Sequence, residues 1–505
     1  VVLAGAVSLL EVGTEEEPTY YRPAGCRTAD CEMVYEGGDV VMDQMAVTFT
    51  MFPGLMWDDG EPLTAADSVY AFGLVADADT PQSKFVTDRT TSYEALDDVT
   101  TVWTGLPGYL DATYFINFWG PMPEHSLGQY TALELLEADE AARTPIGYGP
   151  YKMSEWLTGE SITLVKNENY FRADEGLPYF DYLIYRFVGE NSNANIAALL
   201  AGECDIVDQT SHLDDESELL LELQNAGQLN ATFVTGTVWE HADFGINPVS
   251  YDDGYDEGVD RPMFFSDVRT RRAIAMCMDR QAVVDTVMLG QSLVLDTYLP
   301  PQHPAFNADV VSYAFDVEAG SALLEEVGWT DTDGDGVREG YGIEGVPDGT
   351  PLEFNFWTTN ATQRQQATQI MAETMAQCGI KANLEYWVPG EYFADGPDGP
   401  LFGRRFDIGQ FAWLTGVEPP CNLYLSELIP TPEVGWAGQN DPGWVNAEFD
   451  AACNAALSAL PGEPAYLDNH LLAQQIFAEE LPVVPLYLRL KLAATRPDMC
   501  GFIMD

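Results

Sequence analysis

The chain has 505 residues, 46% hydrophobic and 12% aromatic, a composition that disordered sequences lack, so it builds large cores and is long enough for several domains or one bilobed body. Against 81 acidic side chains stand 22 basic ones, only five of them Lys, and the formal net charge of -59 excludes nucleic acid and anionic lipid as partners. The carboxylates are read as a solvated acidic skin, and no run of about eighteen apolar residues is present to cross a membrane as a helix.

In chain order, VVLAGAVSLL lacks a basic n-region and a small-residue cleavage site before Glu15-Glu16-Glu17, so it reads as a strand of mature sequence whose start lies upstream. Thr64 and Asp67 form a capping pair ahead of the helical positions Val69, Phe72 and Val75. Two stretches show strand, helix and strand, the pattern of mixed α/β lobes with parallel pairing. The first is 182–188, 191–201 and 204–207. In the second, Leu352, Phe354 and Phe356 alternate, Asn360 is placed to cap a helix carrying Ala367, Ile370, Met371 and Met375, Gly379 ends it, and Ile380, Ala382, Leu384 and Tyr386 form the next strand. Asp267 and Asp316 are placed to cap two further helices, the second stopped by Gly328.

Eight cysteines form an even set without a CxxC pair, which favours disulfides over zinc or redox chemistry. The expected bridges are Cys26 with Cys31, Cys204 with Cys500, Cys277 with Cys378 and Cys421 with Cys453; buried thiols are the alternative. No Gly-Lys dipeptide exists to close a phosphate loop, and neither HExxH nor G-x-S-x-G occurs. With 81 acids, a neighbouring carboxylate pair carries no information about catalysis, and the chain is read as a non-enzyme that requires no cofactor. One loop stands out: Asp331, Asp333, Asp335, the Val337 carbonyl and Glu339 occupy alternate positions with Gly336 at the sharp turn, as a structural calcium site needs, although Gly342 stands where a bidentate Glu belongs.

Four ordered segments are similar to the extracellular solute-binding proteins of family 5, the oligopeptide-, dipeptide- and nickel-binding subunits of ABC importers. They are LMWDDGEPLTAADSV from Leu55, PIGYGPY from Pro145 with Asn167 and Tyr170, FSDVRTRRAI from Phe265 with Met278-Asp279-Arg280-Gln281, and LPVVPLY from Leu481. The resemblance implies an α/β, bilobed periplasmic-binding-protein-like fold (type II, class C), two mixed α/β lobes with an interlobe ligand cleft. Lobe one is expected at 1–247, with a strand-rich subdomain at about 38–143, lobe two at 248–481, and 482–505 as a return to lobe one.

The resemblance also places the candidate ligand-binding residues: Trp239, His241, Phe244 and Asn247 in one segment, and Phe411, Trp413, Thr415, Gly416 and Glu418 in another. Peptide binders of the family often carry an Asp three residues after the Trp that matches Trp413. Here that position is Gly416, with Glu418 as the substitute carboxylate, and the gap raises an oligosaccharide as the second ligand class. The implied partners are an ABC permease and its ATPase. The implied location is extracellular, cell-surface or periplasmic, attached near the membrane as a lipoprotein rather than spanning it. A secreted enzyme and a surface or filament structural protein reusing the fold are the competing classes.

Overall fold

The computed structural model describes residues 1–505 except 15–17, 28–30, 190, 212, 433 and 505, so the acidic run Glu15-Glu16-Glu17 lies outside the described residues. Two compact units emerge, one of 1–189 with 458–461 and one of 190–457 with 462–505.

In the first unit, the opening stretch is a strand as expected: β1 (Val2–Ser8) pairs antiparallel with β2 (Val40–Thr50). Helix α1 (Ala65–Ala76) follows, then β3 (Thr90–Ala95) and β4 (Thr100–Gly105), giving the sheet order β1-β2-β4-β3. Its core gathers Met45, Val47, Tyr93 and Trp103, and the indole of Trp103 donates to the Thr90 hydroxyl at 2.8 Å. At the start of α1 the Asp67 carboxylate accepts the Thr64 N–H at 2.8 Å, so Asp performs the expected capping. A second sheet, β5 (Tyr151–Leu157), β6 (Ser161–Lys166) and β7 (Tyr182–Arg186), is antiparallel throughout. The first two family-like segments meet: the Asp58 N–H donates to the Gly147 carbonyl at 2.8 Å, and Asp58 Oδ2 accepts the Gly147 N–H at 2.8 Å.

The second unit opens with α2 (Ser192–Leu200), β8 (Ile206–Val207), α3 (Ser217–Asn225) and the long strand β9 (Asn230–Phe244). Next come α4 (Val268–Cys277), α5 (Arg280–Thr286) and α6 (Val317–Val327). Then follow β10 (Glu353–Thr359), α7 (Thr362–Ala376), β11 (Lys381–Trp387), β12 (Ile408–Leu414), α8 (Ala447–Leu457), α9 (Pro464–Glu480) and β13 (Val483–Thr495). The six-stranded sheet runs β8-β13-β9-β12-β10-β11, parallel from β12 through β10 to β11 and antiparallel elsewhere.

Strands β9 and β13 pass from a small core of Ile196, Leu199, Val207, Leu220 and Leu492 into a large one that includes Phe265, Ile274, Phe356, Met371 and Phe477. Their ladder breaks register between Thr235 and Trp239, where the chain leaves one core for the other. Because these strands are continuous, 190–247 and 482–505 group with the second unit rather than with 1–189. Two buried arginines tie the third and fourth family-like segments together. Arg271 donates to the carbonyls of Phe265 and Leu481, and Arg280 to those of Leu295, Pro485 and Tyr313, so both guanidiniums find buried backbone acceptors.

Several local expectations change. Helix α7 is capped by Ala361, since the Asn360 N–H pairs with the Trp387 carbonyl and its own carbonyl receives Gln365 Nε2. The 182–207 stretch is not a parallel unit: β7 belongs to the antiparallel three-stranded sheet and β8 lies antiparallel on β13. Asp267 and Asp316 do cap α4 and α6, accepting from Arg269 N at 2.8 Å and Ala319 N at 2.9 Å.

Disulfides join Cys26 to Cys31, Cys277 to Cys378 and Cys421 to Cys453. The expected Cys204–Cys500 bridge is not formed. The register that sets Ile206 opposite Thr495 carries Cys204 past the strand end, while the turn closed by Arg496 and Asp498 leads Cys500 away into solvent.

Candidate functional site

Five of the nine expected ligand residues, Trp239, His241, Phe244, Phe411 and Trp413, sit on the central strands β9 and β12 of the six-stranded sheet. Trp239 lies opposite Trp413 and His241 opposite Phe411. The His241 ring is wedged between Trp239 at 4.5 Å and Phe411 at 4.3 Å, and its Nδ1 bonds to Asp243 Oδ1 at 2.6 Å. Burial pushes the His241 pKa down to about 3 and raises that of Asp243, so the imidazole is neutral near pH 7. Phe244 packs on Phe265 at 5.2 Å. Trp239, His241, Phe244 and Phe411 are thus interior side chains, because both faces of a central strand are covered; they support the strand ends instead of meeting solvent.

The exposed part of the expected site begins at Trp413, which is half-buried, and continues along 414–418. Thr415 is buried and donates from Oγ1 to the Tyr298 carbonyl at 3.0 Å, anchoring the loop. Open space surrounds the Gly416 position. Glu418 is already occupied: Oε1 pairs with His470 Nε2 at 3.0 Å and Oε2 accepts from the Tyr466 hydroxyl at 3.0 Å, both on α9. Asn247 lies apart from these groups, donating to the Gly443 carbonyl at 2.7 Å and lining a cavity of about 490 Å³ with Tyr251, Arg404 and Thr431.

Side chains that sequence reasoning missed complete the surface beside Trp413. Trp357 and Trp387 stand at the carboxyl ends of the parallel strands β10 and β11 with ring centroids 5.2 Å apart, and Phe402 lies 6.5 Å from Trp413 with Phe393 6.3 Å beyond it. All five are half-buried. The carboxyl ends of parallel strands are where open α/β sheets place ligands, since the crossovers leave a crevice there. The missed signal was one of phase: Trp357 and Trp387 fall out of step with the core alternations 352, 354, 356 and 380, 382, 384, so they leave the buried face. Beneath them Arg364, in the first turn of α7, pairs with buried Glu240 at 2.9 Å.

The acidic loop folds much as its spacing suggests. Ligand oxygens of Asp331, Asp333, Asp335 and Glu339 lie within 4.8 Å of one another. Asp331 accepts the N–H groups of Gly334 and Gly336, Asp335 that of Val337, and Glu339 is turned inward by Thr332.

Comparison with known proteins fits this architecture. The family model for bacterial extracellular solute-binding proteins, family 5 Middle, matches residues 33–431, and the chain belongs to that family. The oligopeptide-binding protein AppA of Bacillus subtilis is 26% identical over 449 residues, 86% of this chain and 74% of that protein. The oligopeptide-binding protein OppA of Bacillus subtilis is 24% identical over 486 residues, 92% of this chain and 80% of that protein. Among solved structures, an ABC transporter substrate-binding protein from Sinorhizobium meliloti shares the fold with a TM-score of 0.69 at 18% identity, covering 97% of this chain and 91% of that one. The protein is therefore a solute-binding subunit of the ABC-importer type that works outside the cytoplasm.

Proposed function

We propose that this protein captures a peptide and delivers it to a membrane permease driven by a separate ATPase, without chemically altering its cargo. The supporting observation is the half-buried cluster of Trp357, Trp387, Phe393, Phe402 and Trp413 at the carboxyl ends of the sheet, next to the open Gly416 position. Flat apolar faces of this kind remove side chains of a guest from water at small entropic cost. Both oligopeptide-binding relatives support a peptide as the cargo. The four described histidines bond to Asp59, Asp243, the Val417 carbonyl and Glu418, an arrangement that prepares no Ser or Cys nucleophile and favours binding over turnover.

The moving parts are proposed to be 1–247 with 482–505 and 248–481, as the family resemblance suggests. An oligosaccharide is the second reading, favoured by three clustered indoles that offer stacking faces, and by a Glu418 already committed to His470 and Tyr466. The acidic loop is proposed to hold structural calcium through Asp331, Asp333, Asp335, the Val337 carbonyl and Glu339, with the clustering of four carboxylates as its support.

A thermal-shift screen against peptides of two to nine residues and against oligosaccharides separates the readings. At a ligand concentration of about 100 Kd, binding stabilises the fold by about 2.7 kcal/mol. Stabilisation by peptides supports the first reading and by sugars alone the second. Release of cleaved product in either arm contradicts both.

A further inference from the structure

Residues 414–418, at the end of β12 in the second unit, have little apolar packing of their own. Leu414 and Val417 are 63% and 60% exposed, and nothing beyond its chain neighbours lies within 4 Å of where a side chain at Gly416 would begin. The order of this loop therefore rests on hydrogen bonds. Buried Thr415 fixes the first half, its N–H donating to the Thr237 carbonyl at 2.9 Å and its hydroxyl to the Tyr298 carbonyl at 3.0 Å. The second half is held from outside by two histidines and a tyrosine.

His303 Nδ1 accepts the Ala305 N–H at 3.1 Å, so Nε2 carries the proton and donates to the Val417 carbonyl at 3.0 Å. On α9, His470 Nε2 meets Glu418 Oε1 at 3.0 Å, where the carboxylate requires the imidazole to be the donor, and the Tyr466 hydroxyl donates to Glu418 Oε2 at 3.0 Å. His470 Nδ1 has no partner, so the bond to the loop is the one its buried ring makes. Tyr466, His470 and Gln474 recur every four residues, which puts them on one face of the helix, and the last two are fully buried. Gln474 ties the two histidine-bearing elements together: its Nε2 donates to the carbonyls of Ala305 at 2.7 Å and His470 at 3.0 Å, and its Oε1 accepts the Asn307 N–H at 3.0 Å. Polar groups on the buried face of a helix are costly unless bonded, and what this ridge bonds is the loop and the turn that braces it.

We propose that His303, Tyr466 and His470 are positioning residues for cargo capture. Through the Val417 carbonyl and the Glu418 carboxylate they hold 416–418 in one shape, so that the open Gly416 position stays presented beside Trp413 before cargo arrives. The proposal rests on the reading of Trp413 and Gly416 as surface that meets the cargo. A loop ordered in advance loses less conformational entropy on binding, so the three anchors raise affinity without touching the ligand. Glu418 is then a strut of the loop, and its commitment to α9 is the purpose of its charge.

The test uses the full chain carrying His303→Ala and Tyr466→Phe, which removes two anchors at half-buried positions and leaves buried His470 and Gln474 in place. Hydrogen exchange of the Gly416, Val417 and Glu418 amides is read by mass spectrometry without ligand, and peptide retention by native mass spectrometry with a defined mixture of peptides of two to nine residues. Exchange at the three amides should rise about tenfold while β9 and β13 stay protected, and retention of the peptides that the parent binds should weaken about tenfold. His303→Gln in place of His303→Ala restores a side-chain N–H donor and should recover part of both losses. Unchanged exchange overturns the proposal, as does faster exchange with undiminished retention, because the loop would then not serve the site. Exchange raised throughout the second unit with a lowered Tm overturns it too, since the anchors would then serve the fold alone. In these three outcomes a parent that retains peptide leaves peptide capture standing, whereas a parent that retains none overturns that reading and the proposal together.

Discussion

Replacing Glu240 with Gln should destabilise the second unit by about 3–5 kcal/mol, the cost of leaving a buried charge without its partner. The side chains of Glu240 and Arg364 are 3% and 11% exposed. Arg364 Nε donates to the two carboxylate oxygens at 3.1 and 3.2 Å and Nη2 donates at 2.9 Å, while Nη1 reaches the Thr359 hydroxyl at 3.1 Å. Desolvation alone would lower the Arg364 pKa, and the Glu240 carboxylate outweighs it and holds the guanidinium above the usual arginine range. Glutamine keeps the shape and one acceptor but removes the charge. Since a domain has only about 5–15 kcal/mol of net stability, the loss is large, and it falls on the strand ends that carry Trp357 and Trp413. Urea unfolding followed by tryptophan fluorescence measures it, with Arg364→Met and the double variant closing a cycle. The coupling energy should exceed about 2 kcal/mol, with the double variant more stable than Glu240→Gln with Arg364 intact. A loss under about 1 kcal/mol, or simple additivity, refutes the claim that the pair is a buried unit.

Other outcomes follow from the same structure. Removing Cys277–Cys378, which spans 101 residues, should cost about 4–5 kcal/mol, against about 2 for Cys26–Cys31, which spans five; urea midpoints with and without each pair replaced by Ala check the order. Trp413→Ala should weaken ligand binding by about 1–3 kcal/mol while leaving Tm nearly unchanged, whereas fully buried Trp239→Ala should lower stability by about 3–5 kcal/mol, and calorimetry of both separates contact from support. The side-chain hydrogen bond from Arg269 holds the Asp267 carboxyl below the usual range, so the stability it confers is present above its unfolded pKa and is lost as pH falls through the lower folded value. The Tm gap between the parent and Asp267→Asn should accordingly shrink from pH 6 toward pH 3. Adding EDTA should lower the Tm of the parent, and Asp331→Asn with Asp333→Asn should reduce that drop, provided the acidic loop holds calcium.

Much of the fold was legible because local chemistry agreed with tertiary context. The alternation through Leu352, Phe354 and Phe356 and the Gly379 stop gave the one parallel strand–helix–strand unit correctly, and Asp267 and Asp316 marked two helix starts. The sheet order was not legible. Nothing local in β9 or β13 states that strands 240 residues apart in sequence lie side by side, or that one long strand serves two cores. The same tertiary fact governs the candidate residues: WEHADF looks like a row of pocket groups, yet a central strand buries both of its faces. Trp357 and Trp387, out of step with the alternations that the sequence shows, are half-buried. Glu418 was chosen for its charge, and two partners on α9, some fifty residues later, had already taken both of its oxygens.

Native mass spectrometry of gently purified protein tests the central claim most directly. A carrier that encloses its guest unaltered should show one peptide-sized adduct per chain, lost on unfolding and restored intact when that peptide is added back. Repeated recovery of the added peptide as fragments, or a chain that takes up no peptide or sugar at saturating concentration, would contradict it.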